Sequence, residues 1–150
     1  MKGYVLVVDD DEDARVLLSA VLTGLGLPHE CASDGIEALA QIEERAPKLI
    51  LLDLMMPRMH GYDVVARLRS NPETRDIPVV VVSAHPPNQQ DMLKLPGVAQ
   101  VIRKGADSAI EQVECIANAI LKQTGLGHLG RQPVPVRASS RASRRRGPPA

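Results

Sequence analysis

The chain has 150 residues, 44% of them hydrophobic, with no Phe, no Trp and only two Tyr, which suits one domain built on an aliphatic core. The formal net charge of zero conceals a split: residues 1–122 hold 12 basic and 18 acidic groups, a net of −6, and the tail after Lys122 holds six Arg and no acid. Cys31 and Cys115 are too few for a disulfide framework or a Cys-rich zinc site, and they read as free thiols. The N-terminus passes into a strand pattern without a basic-then-apolar leader, and no apolar run approaches membrane-spanning length. A soluble, cytoplasmic protein with no membrane partner is the expectation.

Tyr4–Val8 reads as a buried strand. Asp11, Glu12 and Asp13 then put acids at a helix start, where the dipole favours them. Val16, Leu17, Ala20, Val21 and Gly24 follow at three-to-four spacing, and Gly24 and Gly26 close the helix. His29–Ala32 is a weak strand and Ser33-Asp34-Gly35 a turn. Ile36, Leu39 and Ile42 mark a second helix. Leu49–Leu52 is the third strand; Gly61–Ser70 is a helix packed through Val64, Val65 and Leu68 and broken by Asn71-Pro72. Val79–Val82 is an all-Val strand ending in Ser83.

His85-Pro86-Pro87 opens a loop, and a short helix is expected in Asn88–Leu95 before Pro96-Gly97. Ala99–Ile102 is the fifth strand. Asp107 or Ser108 caps a last helix carrying Ile110, Val113, Ile116, Ala117, Ile120 and Leu121. Five strands alternating with five helices predict an α/β domain over residues 1–122, a parallel sheet covered on both faces. Residues 123–150 are rich in Gly, Pro, Ser and Arg, too poor in apolar surface to order themselves, and are expected to be a disordered tail.

Four strands end in polar or charged residues: Asp9 and Asp10, Asp53, Ser83, and Lys104 one residue past Arg103. Sites in open parallel sheets form at the carboxyl ends of the strands, so three carboxylates, a hydroxyl and an ammonium should converge. Clustered oxygens suit Mg²⁺, and a metal-neutralised carboxylate beside Lys and a hydroxyl can accept a phosphoryl group. Asp53 is the nucleophile candidate, because it ends the central, most hydrophobic strand. Asp11, Glu12 and Asp13 read as helix-start acids. His29, His60, His85 and His128 lack metal-ligand spacing and read as surface or loop residues.

Val7-Val8-Asp9-Asp10, Ser33-Asp34-Gly35-Ile36-Glu37-Ala38-Leu39, Leu52-Asp53-Leu54-Met55-Met56-Pro57 with Gly61, Ser83-Ala84 and Lys104 together resemble the receiver domain of bacterial response regulators, the CheY-like family of two-component phosphorelay signalling. The likeness covers about residues 3–122. It implies a flavodoxin-like doubly wound sheet of order 2-1-3-4-5. It implies that Asp53 takes phosphate from a sensor histidine kinase or a histidine phosphotransfer protein. Asp10 and Asp53 would bind Mg²⁺ with the backbone carbonyl of Met55, Asp9 would support that site, Ser83 would hydrogen-bond the phosphoryl group and Lys104 would ion-pair with it. Met55 and His85 hold positions that tune the lifetime of the aspartyl phosphate. Such a protein catalyses only its own phosphorylation and dephosphorylation, so it is not otherwise an enzyme.

Departures from that family pattern cluster late in the chain. Gly105 follows Lys104 where Pro is usual, Val101 replaces an aromatic, His60 replaces a small or acidic residue, and Pro86-Pro87 stiffens the start of the fourth expected helix. A stand-alone receiver signalling through contacts with an unidentified downstream protein is the leading reading, with no folded nucleic-acid-binding module. It leaves open a phosphorylation-dependent dimer through the fourth expected helix, the fifth strand and the last helix. The Arg tail reads as solvated, with contact to nucleic acid, an acidic partner or the acidic body as its alternatives. A receiver-fold interaction module that works without phosphate is the rival. A haloacid-dehalogenase-type phosphatase would need a second Asp two residues after Asp53, where this chain has Met55.

Overall fold

The computed structural model describes residues 3–56, 59–84, 97–105 and 108–125. Its strands are β1 (Val5–Val8), β2 (His29–Ala32), β3 (Leu49–Leu52), β4 (Val79–Ser83) and β5 (Val98–Arg103). They form one parallel sheet in the order β2-β1-β3-β4-β5. The helices among the described residues are α1 (Glu12–Gly24), α2 (Gly35–Glu44), α3 (Gly61–Arg69) and α4 (Ala109–Gln123). The short helix expected in Asn88–Leu95, and the tail beyond Gly125, lie outside the described residues.

Each apolar strand feeds two cores, as strand alternation requires. Leu6, Val8, Ile50, Leu52, Val79 and Val81 pack with α2 and α3 through Ala38, Ile42, Val64, Val65 and Leu68. Val5, Val7, Leu49, Leu51, Val80 and Val82 pack with α1 and α4 through Leu18, Leu22, Val113, Ile116 and Ile120. A fully buried Leu, Ile or Val contributes about 1.5–3 kcal/mol, so aliphatic residues build nearly all of both layers, with Tyr4 the aromatic member of the first. β5 carries one irregularity: Val98 faces Val79, yet Gln100 faces Val80, and Ala99 between them is exposed.

Local chemistry sets the helix starts. Asp11 caps α1 by accepting from the Asp13 N–H, and Ser108 caps α4 by accepting from Glu111. Asp34 caps α2 through Glu37 N–H at 2.8 Å, and the Glu37 carboxylate turns back to accept from the Ser33 N–H and hydroxyl.

Several expected faces need correction. On α1 the buried residues are Leu18, Val21 and Leu22, while Val16, Leu17 and Ala20 are exposed. The run Val16-Leu17-Leu18 offers two apolar stripes, and only the one facing β1 and α4 is covered. On α2, Ala38 and Ile42 are buried and Ile36 is half exposed. Gly35 explains the tight fit there, since a Cβ would lie 2.8 Å from Val64 Cγ2. Ile110 is exposed in the first turn of α4, and the edge strand runs from Val98 to Arg103, longer than Ala99–Ile102. Tyr4 lies just outside β1, buried, with its hydroxyl donating to the Arg45 carbonyl at 2.6 Å.

Candidate functional site

Ladder bonds running one step past the strands fix the site backbone. Asp9 N–H donates to Ala32 O at 3.1 Å, Asp53 N–H to Val8 O at 2.9 Å and Lys104 N–H to Ser83 O at 2.9 Å. Asp9 and Asp53 are thereby locked on neighbouring strands, and Lys104 beside Ser83, at the carboxyl end of the sheet. Gly61 completes the support, donating to Leu54 O at 2.9 Å. A Cβ there would lie 2.5 Å from Asp53 O and 2.7 Å from Leu54 Cα, so α3 approaches the β3 exit closely only because residue 61 is Gly.

The three carboxylates and the Lys104 ammonium come together at the strand ends. Asp9, Asp10 and Asp53 each offer a carboxylate oxygen, and these lie within 4.8 Å of one another. Asp9 and Asp53 are buried and Asp10 is exposed, which gives the cluster a wet mouth. Lys104 Nζ lies 2.5 Å from Asp9 Oδ2 and 3.8 Å from Asp53 Oδ2. The other Asp9 oxygen accepts from Asp11 N–H at 3.0 Å, and Arg15 donates to the Asp9 carbonyl at 2.7 Å. Met55 N–H reaches Asp53 Oδ1 at 3.3 Å, while the Met55 side chain is exposed. Ser83 is fully buried at the end of β4, and its Oγ has no hydrogen-bond partner among the described residues.

Burial, and then the charge of Asp9, push the Asp53 carboxyl up from 3.8 to about 6; Lys104, the Met55 N–H and Asp10 exert smaller influences, the first two downward. Such a carboxylate holds its charge reluctantly and gains from any added cation. An oxygen cluster of this kind, with one exposed member, fits a hard divalent ion that keeps part of its water.

His85 lies outside the described residues. His60 is the exposed N-cap residue of α3 and makes no side-chain cap bond. Gly105, where the family pattern carries Pro, has φ 74°, which a pyrrolidine ring excludes. Gln112 was not visible as a site residue: it sits on α4, donates to Arg103 O at 2.7 Å and accepts from Gly105 N–H at 3.1 Å. Its only signal in the sequence is a polar residue between exposed Glu111 and buried Val113.

A family model described as the response regulator receiver domain matches residues 5–113. Over 84 residues the chain is 45% identical to the response regulator PleD of Caulobacter vibrioides, a stretch covering 56% of this chain and 18% of PleD. The chain therefore spans a small part of that relative's length. Among solved structures, the Mn²⁺-bound form of the response regulator Rcp1 matches with a TM-score of 0.67 at 25% identity, covering 79% of this chain and 92% of the other. The phosphorylated cyanobacterial phytochrome response regulator RcpA matches with a TM-score of 0.70 at 27% identity, covering 83% and 95%.

Proposed function

The chain belongs to the response regulator receiver family of two-component systems, whose members are signalling proteins and not metabolic enzymes, and from that premise we propose that it accepts a phosphoryl group on Asp53 and signals through protein–protein contacts. The donor is a phospho-histidine on a sensor kinase or a histidine phosphotransfer protein. An Asp53 carboxylate oxygen attacks phosphorus, the P–N bond breaks, and the imidazole leaves. Residues 1–122 make up the receiver in this reading, and the Arg-rich stretch 123–150 lies outside it.

The observation that carries the reading is the placement of Asp53, buried at the exit of β3, within 3.8 Å of the Lys104 ammonium. Lys104 orients and balances the incoming phosphoryl oxygens. Ser83 Oγ, buried and without a partner among the described residues, would donate to one of them. Asp10 and Asp53, backed by Asp9 and with the Met55 backbone alongside, would hold Mg²⁺. When bound, that ion supplies charge neutralisation for the phosphoryl oxygens.

The test is intact-mass spectrometry after incubation with acetyl phosphate, with and without Mg²⁺. A single Mg²⁺-dependent phosphoryl adduct on wild type, absent from Asp53→Asn, is expected; an unmodified, folded wild type would refute the proposal.

One observation favours the second reading, a module that works without phosphate. Val101 is buried in the core beside α3, so no ring swings between buried and exposed states at that position. An Asp53→Asn variant with full activity in cells would select this reading.

A further inference from the structure

Lys104 stands between two backbone groups that one side chain holds. Gln112 Nε2 donates to the carbonyl of Arg103 at 2.7 Å, and Gln112 Oε1 accepts from the N–H of Gly105 at 3.1 Å. The residues gripped are the immediate neighbours of Lys104 on either side. Lys104's own N–H is held by Ser83 O, so the turn after β5 is tied both to β4 and to α4. Gln112 is itself fixed, because its N–H donates to Ser108 O within the capped first turn of α4. Lys104 and Gln112 also line one cleft between α1 and α4, together with Leu18 and Ile116.

We propose that Gln112 is a positioning residue for the phosphoryl site: its amide clamps the Arg103–Gly105 turn and thereby aims the Lys104 ammonium at Asp9 and Asp53. The chemistry matches the amide group. One end must donate and the other accept, which Gln does and neither an ionised Glu nor Lys can do at once. The second bond needs an N–H at residue 105 and a left-handed backbone there, and Gly supplies both, at φ 74°. A proline at this place would offer neither. Without the clamp, the Lys104 N–H bond to Ser83 O is left to hold a turn that contains a Gly at positive φ, and a flexible Lys stem amplifies any movement at Nζ.

This inference rests on the receiver reading, and the experiment separates the two. Wild type, Gln112→Met, Lys104→Met and the double variant are compared as full chains with Mg²⁺. Two quantities are read: the rate of Asp53 adduct formation over a range of acetyl phosphate concentrations, and the mobility of the Lys104 ammonium by ¹⁵N relaxation. Gln112→Met should lower the maximal rate about tenfold, as expected for a misplaced reacting group. The half-saturating donor concentration should stay nearly unchanged, and the ammonium should become mobile. In the Lys104→Met background the same substitution should have no further effect, since the two residues act as one unit. Gln112→Asn, still polar but one methylene too short for both partners, should repeat the loss if the Met variant fails to fold. An equal loss in both Lys104 backgrounds would make Gln112 a general stabiliser and overturn the proposal. So would an ordered ammonium in folded Gln112→Met. An unphosphorylated wild type would sink the receiver reading instead, and the ammonium measurement would still decide on the clamp.

Discussion

Lys104 and Asp9, 95 residues apart in the chain, meet at 2.5 Å between Nζ and Oδ2. The ammonium is thus bound by the buried acid behind the site and stands farther, at 3.8 Å, from Asp53. A phosphoryl group on Asp53 would compete with Asp9 for that cation. Under the proposed function, phosphorylation would redistribute an ion pair already present and so link the chemistry on β3 to the end of β5.

The raised Asp53 pKa sets a pH dependence. The folded protein holds this proton more tightly than the unfolded chain, so stability is lost as pH rises from about 4 to the folded value of about 6. Without divalent cation, Asp53→Asn should be more stable than wild type by about 1–2 kcal/mol at pH 7.5, less than the full shift would give because the site mouth is wet. The difference should vanish near pH 4. Urea denaturation across this range checks it, and a gain that stays constant with pH would refute the origin in Asp53.

Mg²⁺ should reverse that order. Three carboxylates with oxygens within 4.8 Å of one another carry more negative charge than the single Lys104 ammonium offsets, so a divalent cation is favoured there. At a hundredfold excess over its dissociation constant, Mg²⁺ should stabilise wild type by about 2.7 kcal/mol. Asp10→Asn should lose most of this, and chelation with EDTA should remove it from wild type. Thermal melts with and without the ion read the effect.

Ser83 offers a test with opposite signs. Its buried Oγ lacks a partner among the described residues, so Ser83→Ala should leave the unphosphorylated protein unchanged or more stable by up to about 1 kcal/mol. The same change should slow adduct formation about 10- to 100-fold, as loss of one donor to a developing charge does. A purely structural serine would show a stability loss and an unaltered rate.

Gly61→Ala should damage the site from a distance. The new methyl would press on backbone atoms of Asp53 and Leu54 at 2.5 and 2.7 Å, and backbone cannot step aside cheaply. We expect a loss of about 1–3 kcal/mol by chemical denaturation, together with slower phosphorylation. A neutral variant would show that α3 can slide away from β3.

The parallel sheet and the acids at its strand ends were legible because unbroken runs such as Leu49–Leu52 and Val79–Val82 have only one buried use in an α/β domain, while the strand order came with the family resemblance. The buried face of α1 was not. Val16, Leu17, Leu18, Val21 and Leu22 give two stripes of similar hydrophobicity, and the choice between them is made by neighbours distant in sequence. The meeting of Lys104 with Asp9 was likewise hidden, since a strand-end Lys could have faced either acid or the solvent. Gln112 shows a different limit: an amide that grips backbone leaves no pattern in a sequence beyond an isolated polar letter.

The unmatched Ala99 gives the chain an unequal tolerance for length change. In β1 and β3 every residue has a partner in register, and the acids follow directly, so adding or deleting one residue would turn Asp9 or Asp53 to the opposite side of the sheet. β5 carries a spare residue, and losing one there would merely regularise the strand while Ser83 still met Arg103. The frame of the acids is fixed to the residue; the frame of the lysine has one residue of slack.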